Sequence, residues 1–305
     1  MESPVFIVGV DRSGTTLLTM MLDMHSQLWI PNESHFIVNF YEKYQDVAGL
    51  KYEEFRKNIV SEILNERYVR DWDVDISLDN VDVSDCLSLS DIISAFYKSC
   101  AVSKGKIFWG DKTPRYLVHV DVLNKLFPKS RFIHIVRDGR DVAESISRMW
   151  WGANDFASAL KSWERRIELG SKMLNMLPQG RYMQLRFEDL VLNTKKELQR
   201  VTDFLELPFE ESMLGYSSVA AAKVGGRIDK HHSGLMQSPQ ASETYRWKKR
   251  LSYADQALAW HIAGRMLRRF QYDEGVTKHP LRLVRYLYYK VVESWNWRFA
   301  NCNKR

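Results

Sequence analysis

A chain of 305 residues with 45% hydrophobic and 27% charged side chains is composed like an ordinary globular protein, long enough for one large α/β domain or two small ones. No apolar run reaches the roughly 18 residues of a membrane span, and the N-terminus enters a strand-like run with no basic leader or cleavage site. Cys86, Cys100 and Cys302 give neither a disulfide framework nor zinc spacing, so the expectation is reduced thiols in a cytoplasmic protein. The net charge of +6 is uneven: from Lys223 onward 17 Lys and Arg stand against 6 Asp and Glu, and the remainder carries 27 against 32. A basic C-terminal region suits a polyanionic ligand, an anionic membrane surface or nucleic acid, though most such charges simply solvate a surface. No nucleic-acid-binding motif accompanies the charge.

The chain opens on Val5-Phe6-Ile7-Val8, an apolar run that reads as a buried parallel strand. Gly9-Val10-Asp11-Arg12-Ser13-Gly14 makes a turn, and Thr15-Thr16 head an apolar-periodic helix through Leu17, Leu18, Met21 and Leu22. Strand, glycine-bearing turn and helix N-terminus bring free backbone amides and the positive end of a helix dipole to one point, an anion site. The Gly9-x4-Gly14 spacing matches a P-loop, but Thr-Thr follows where a nucleoside-triphosphate loop has Lys-Ser or Lys-Thr. The cation is Arg12, inside the turn.

Leu28-Trp29-Ile30 reads as a short second strand ending at Pro31-Asn32-Glu33-Ser34-His35. Residues 36–105 form a mostly helical insertion over the carboxyl edge of the sheet, interrupted by acidic residues around 71–85. A strand over 106–110 leads into Asp111-Lys112-Thr113-Pro114-Arg115-Tyr116, then a helix over 118–127 stops at Pro128. The strand over 131–136 delivers Arg137-Asp138-Gly139-Arg140-Asp141, and the helix over 142–150 carries Ser145. A helix over 157–177, a strand over 182–187 and a helix over 195–206 follow. This alternation predicts an α/β fold with a parallel sheet between two helical layers. Residues 220–250, rich in Gly, Ser, His and basic side chains, read as a loop covering the ligand. A helix over 253–270 precedes a basic, aromatic amphipathic one over 281–299. The predicted division is one domain over 1–275 and a C-terminal helical segment over 276–305.

Arg12–Thr16 and the pair Arg137 and Ser145 form two anion sites on successive βα units, both on the carboxyl edge where such sheets bind ligands. One ligand with two separated phosphate-like groups satisfies both. In VDRSGTTLL, IVRDGRDVAES and DKTPRY, and over most of residues 5–205, the chain resembles sulfotransferases that use 3′-phosphoadenosine 5′-phosphosulfate (PAPS), above all the tyrosylprotein-type and related bacterial members. The resemblance implies a three-layer α/β/α, P-loop-like fold and a product, adenosine 3′,5′-bisphosphate. It also implies that Arg12, Ser13, Gly14, Thr15 and Thr16 hold the 5′-phosphosulfate and that Arg137 and Ser145 hold the 3′-phosphate.

Sulfuryl transfer through a loose transition state needs positioning and stabilised charge on the leaving oxygen, which Arg12 and Lys112 supply, and no metal is expected. The bland reading of Lys112 is an exposed turn lysine; the resemblance puts it at the reaction centre. The hydroxyl acceptor needs a base. Glu33 takes that role by its offset from Arg12 in the resemblance, with His35 as rival. His25 and His134 read as structural. Phe187 stands where family members often carry a tyrosine against the adenine, and Arg227, Ser233, Arg246, Lys248 and Lys249 all compete to close over the cofactor. Two alternatives stay open on residues alone: a P-loop small-molecule kinase, disfavoured by the missing Lys after Gly14 and the missing magnesium Asp, and a non-catalytic nucleotide- or polyanion-binding protein. The acceptor (tyrosine, sugar, lipid or small phenol) is not encoded in a motif. The stripe over 281–299 fits peripheral membrane contact, packing on its own domain, or a homodimer.

Overall fold

The computed structural model describes residues 3–45, 48–153, 155–217 and 239–291. Five strands, β1 (Val5–Gly9), β2 (Leu28–Trp29), β3 (Phe108–Lys112), β4 (Arg131–Val136) and β5 (Tyr182–Arg186), pair in parallel in the order β2-β3-β1-β4-β5. Alternation along the strands decides what each face buries. Phe6, Val8, Phe132 and Val136 face one helical layer, and Val5, Ile7, Ile133, Ile135 and Leu185 face the other. The first layer contains α2 (Phe36–Tyr44), α3 (Glu53–Asn65), α4 (Leu89–Ser103), α5 (Val120–Leu126), α6 (Gly139–Ile146), α7 (Phe156–Asn175) and α10 (Tyr253–Arg269). The second contains α1 (Thr15–Asp23), α8 (Phe187–Leu192) and α9 (Thr194–Leu205). Apolar residues on both sides of each strand make this the three-layer α/β/α arrangement expected of a parallel sheet.

Register corrects the third strand. Val5–Ile7 pair with Gly110–Lys112, so β3 runs from Phe108 through Lys112 instead of over 106–110. Lys106 is drawn out of the strand: its ammonium reaches Asp23 Oδ1 at 3.1 Å and the Leu28 carbonyl at 2.9 Å. A short 3₁₀ helix, Pro114–Val118, follows the strand, and α5 spans Val120–Leu126 where a helix over 118–127 was predicted. α6 begins at Gly139, not at 142, because the Asp138 side chain accepts the Arg140 N–H at 3.0 Å and caps it. It also ends sooner: the Met149 N–H turns back to the Ile146 carbonyl at 2.9 Å, so residues 147–150 are not helical and Ser145 lies in the helix's last turn. Phe187 opens α8 instead of ending β5.

Of the covering stretch 220–250, residues 239–250 are described; Arg227 and Ser233 lie outside the described residues. Of the C-terminal stripe, residues 281–291 are described, with a helix over 282–291. β1 has β3 on one side and β4 on the other, so the chain reverses its winding there, and the carboxyl ends of these three strands frame a crevice.

Candidate active site

The turn after β1 is built for an anion. Arg12 takes a left-handed φ of 69° and Gly14 a φ of 94°, and Gly14 forms the N-cap of α1. A side chain at Gly14 would strain the backbone and set its Cβ 2.3 Å from Cδ2 of Phe187, so glycine is required where backbone must approach both ring and ligand. The first amides of α1 have no helical acceptor and point their dipole into the crevice. Asp11 ties the turn to α7 by an ion pair with Arg166 at 2.6 Å.

The second anion element arrives from β4. Arg12 Nε donates to Ser145 Oγ at 3.1 Å, and Arg137 donates to the Arg12 carbonyl at 3.3 Å and the Glu243 carbonyl at 2.8 Å. The Arg137 guanidinium lies over the Phe187 ring, 4.3 Å from its centroid. Ser13 Oγ and Arg137 Nε are buried with no hydrogen-bond partner among the described residues. Two donors left this way are costly, and an anionic group with several acceptor oxygens fits them.

Underneath lies a buried charge cluster that the motif reading passed over. Asp138 and Arg140, both fully buried, pair at 2.8 and 2.9 Å, and Arg140 stacks on Trp247 at 3.6 Å. Glu188 accepts the Asp138 N–H at 3.0 Å and the Tyr272 hydroxyl at 3.1 Å. Burial pushes the Glu188 carboxyl up to about 7, with the Asp138 N–H opposing. Asp141 accepts the Trp247 N–H at 2.7 Å and the Arg246 N–H at 3.3 Å, pinning residues 246–247 over the site. Burial raises it to about 6 against the pull of Arg137. Arg140 and Asp141 sit inside the RDGRD run, so the motif named them without revealing their task.

At the other end, the two candidate bases Glu33 and His35 are hydrogen-bonded to each other. His35 Nε2 lies 2.8 Å from Glu33 Oε2, and Lys112 Nζ donates to Glu33 Oε1 at 2.9 Å. Burial by itself would raise the Glu33 carboxyl, but Lys112 and His35 outweigh it and hold it at about 2. The turn bearing Glu33 is fixed from β3 and its continuation: Ser34 N–H donates to Thr113 Oγ1 at 3.1 Å, and Ile37 N–H donates to the Tyr116 hydroxyl at 2.9 Å. Lys112 is 4% exposed, which rules out the exposed-turn reading. It meets the main cleft through Glu33 and itself lines a small adjoining cavity of about 40 Å³ with Thr16 and Asn32. His134 is buried in β4, where burial takes its imidazole down to about 3, and His25 Nε2 lies 2.9 Å from the Pro208 carbonyl; both are structural.

One cleft of about 1100 Å³ collects Arg12, Gly14, Thr15, Thr16, Glu33, His35, Arg137, Ser145 and Phe187. Arg246 lines it, whereas Lys248 pairs outward with Asp273 at 2.8 Å. Lys249 is exposed. Tyr68, Arg148, Trp150, Trp151 and Arg250 are also among its lining residues, none of them singled out by the motifs.

An anion-gripping glycine turn at the carboxyl edge of a doubly wound parallel sheet defines a P-loop-like α/β protein. The Sulfotransferase family matches residues 4–211, and the chain belongs to that family; it is a PAPS-dependent sulfotransferase. It is similar to protein-tyrosine sulfotransferase A of Caenorhabditis elegans, at 23% identity over 283 residues, covering 88% of this chain and 67% of that protein. Protein-tyrosine sulfotransferase 1 of Homo sapiens is 28% identical over 229 residues, which is 73% of this chain but 56% of the human protein. Among solved structures, the sulfotransferase domain from the curacin biosynthetic pathway shares the fold at a TM-score of 0.62 and 22% identity, over 90% of this chain and 99% of that one. Family membership removes the kinase alternative and the non-catalytic one.

Proposed function

We propose that Arg12, Ser13, Gly14, Thr15 and Thr16 receive the 5′-phosphosulfate of PAPS, that Arg137 and Ser145 receive its 3′-phosphate, and that Glu33 takes the proton of a hydroxyl acceptor. PAPS supplies the sulfuryl group on an activated phosphate leaving group. The observation that carries this reading is the 3.1 Å bond from Arg12 to Ser145, which joins the two anion elements into one continuous donor surface. The unpartnered Ser13 Oγ and Arg137 Nε add donors to it. Phe187, held flat under Arg137 and against Gly14, offers a ring face beside them.

Glu33 is ionised at neutral pH, and each of its oxygens keeps a lone pair beyond those used by Lys112 and His35. It accepts the acceptor's proton as the hydroxyl attacks, while His35 fixes its second oxygen and Lys112 its first. Lys112 thereby keeps positive charge beside the reacting group, and Arg12 meets charge growing on the leaving oxygen. The names of the relatives make a tyrosyl phenol the first acceptor to try. The location we assign is cytoplasmic with peripheral membrane contact; separately, no helix among the described residues is long and apolar enough to cross a membrane.

Calorimetry with adenosine 3′,5′-bisphosphate tests the donor side: wild type binds, and Arg12→Ala and Arg137→Ala lose most of the affinity. With labelled PAPS and tyrosyl peptides or small phenols, Glu33→Gln retains nucleotide binding and loses about 10²–10⁴-fold in turnover. A wild type that ignores the bisphosphate ends the donor assignment, and a Glu33→Gln enzyme of normal turnover ends the base assignment.

A further inference from the structure

The helix over 282–291 has two opposed faces. Its inner face packs on the domain: Tyr289 is 5% exposed against Ala157 of α7 and Leu258 of α10, and the Tyr286 ring meets His261 edge-on at 4.7 Å. Arg282 donates to the Thr277 carbonyl at 3.1 Å, and Arg285 pairs with Asp255. At 100° per residue, Leu283, Val284, Leu287, Tyr288 and Val291 fall together on the outer side. All five are more than half exposed. That is a continuous apolar stripe facing outward, and single exposed apolar residues do not explain it.

Charge chooses the occupant. Exposed Arg285 borders the stripe on one side and exposed Lys290 on the other. From Lys278 to the end the sequence has seven Lys and Arg against a single acid, Glu293, with Trp295 and Trp297 among them. Asp255 offsets Arg285, and a second copy laid face to face on this stripe would still set the remaining cations of this segment against their like. An anionic lipid surface has the opposite sign and an apolar interior for the stripe. Arg285 and Lys290 on either side of the stripe make these turns amphipathic instead of apolar all round, the pattern of a helix that lies in the plane of the interface. We propose that the outer face of residues 282–291 docks this enzyme in the plane of an anionic membrane, with Val284, Leu287 and Tyr288 entering the acyl boundary and Lys290 at its edge meeting lipid phosphates. The inner anchor at Ala157 opens α7, directly after the loop whose Trp150 and Trp151 line the cleft, which ties the docked helix to the element beside the active-site mouth.

The full chain is sedimented with vesicles of phosphatidylcholine alone and with about one-quarter phosphatidylglycerol added. The wild type pellets with the anionic vesicles, stays largely in solution with the neutral ones, and is released as salt shortens the Debye length. Val284→Glu/Leu287→Glu/Tyr288→Glu, made at exposed positions, lowers the bound fraction by on the order of tenfold or more while circular dichroism and adenosine 3′,5′-bisphosphate binding stay unchanged. Lys290→Gln, which leaves the Arg285–Asp255 pair intact, weakens binding to anionic vesicles alone. Failure of the wild type to pellet, or equal pelleting of the triple variant, overturns the proposal. So does a dimer, seen by light scattering, that the triple variant dissolves without any vesicle binding.

Discussion

Glu188 offers a test of how the anion site is underpinned. Its carboxyl is fully buried, receives the Asp138 N–H at 3.0 Å and the Tyr272 hydroxyl at 3.1 Å, and titrates near 7 in the folded chain against an ordinary 4.5. A raised carboxyl binds its proton more tightly folded than unfolded. Below pH 4.5 both states hold it; between 4.5 and about 7 the unfolded chain releases it first, so stability falls as pH rises through that window. The difference of about 2.5 units corresponds to about 3 kcal/mol at 1.36 kcal/mol per unit. Glu188→Gln keeps the shape and offers an amide oxygen to the Asp138 N–H but cannot ionise. Urea unfolding followed by tryptophan fluorescence, repeated from pH 4.5 to 8, gives the stability of wild type minus that of the variant. That difference should decline by about 3 kcal/mol and then level off above pH 7. A difference that stays flat within about 0.5 kcal/mol across the range would refute the buried-carboxyl account.

Two further outcomes rest on neighbouring geometry. Asp138→Ala strands Arg140, which is fully buried and, among the described residues, held by Asp138 and the Trp247 face, and should cost about 3–5 kcal/mol in urea unfolding; a loss under about 1 kcal/mol would mean the pair is not what holds α6 in place. Gly14→Ala meets a φ of 94° and a Cβ 2.3 Å from Phe187, adding about 1–2 kcal/mol of backbone strain and pushing the ring from under Arg137. Calorimetry should find adenosine 3′,5′-bisphosphate bound more than tenfold more weakly, and unchanged affinity would show that the turn tolerates a side chain there.

Local patterns were legible to different depths. The run Val5–Val8 and the run 131–136 announced buried strands because apolar residues on both faces of a strand leave no solvent side, and both form where expected. The Gly9-x4-Gly14 turn was legible because glycine spacing is a backbone requirement, and Gly14 does adopt a left-handed φ. Helix ends were less so: α6 is set by the Asp138 cap and the turn-back at Met149, neither of which leaves a mark in apolar periodicity. That Glu33 and His35 are hydrogen-bonded to each other was not legible, because closeness in sequence says nothing of which way two side chains lean.

The sequence by itself determined a parallel α/β sheet, a glycine turn between β1 and α1 that carries Arg12, and the place of Arg137 directly after β4. Periodicity and glycine spacing are local properties, and they survive without knowledge of neighbours. Only the tertiary structure decided that Lys112 ends a strand and reaches Glu33 across 79 positions of chain, that Arg12 binds Ser145, and that Asp138, Arg140, Glu188 and Trp247 share one buried cluster. Those pairings depend on strand register and on which helix crosses which strand end. Such choices arise from packing the whole core at once, and a window of sequence read alone holds no information about them.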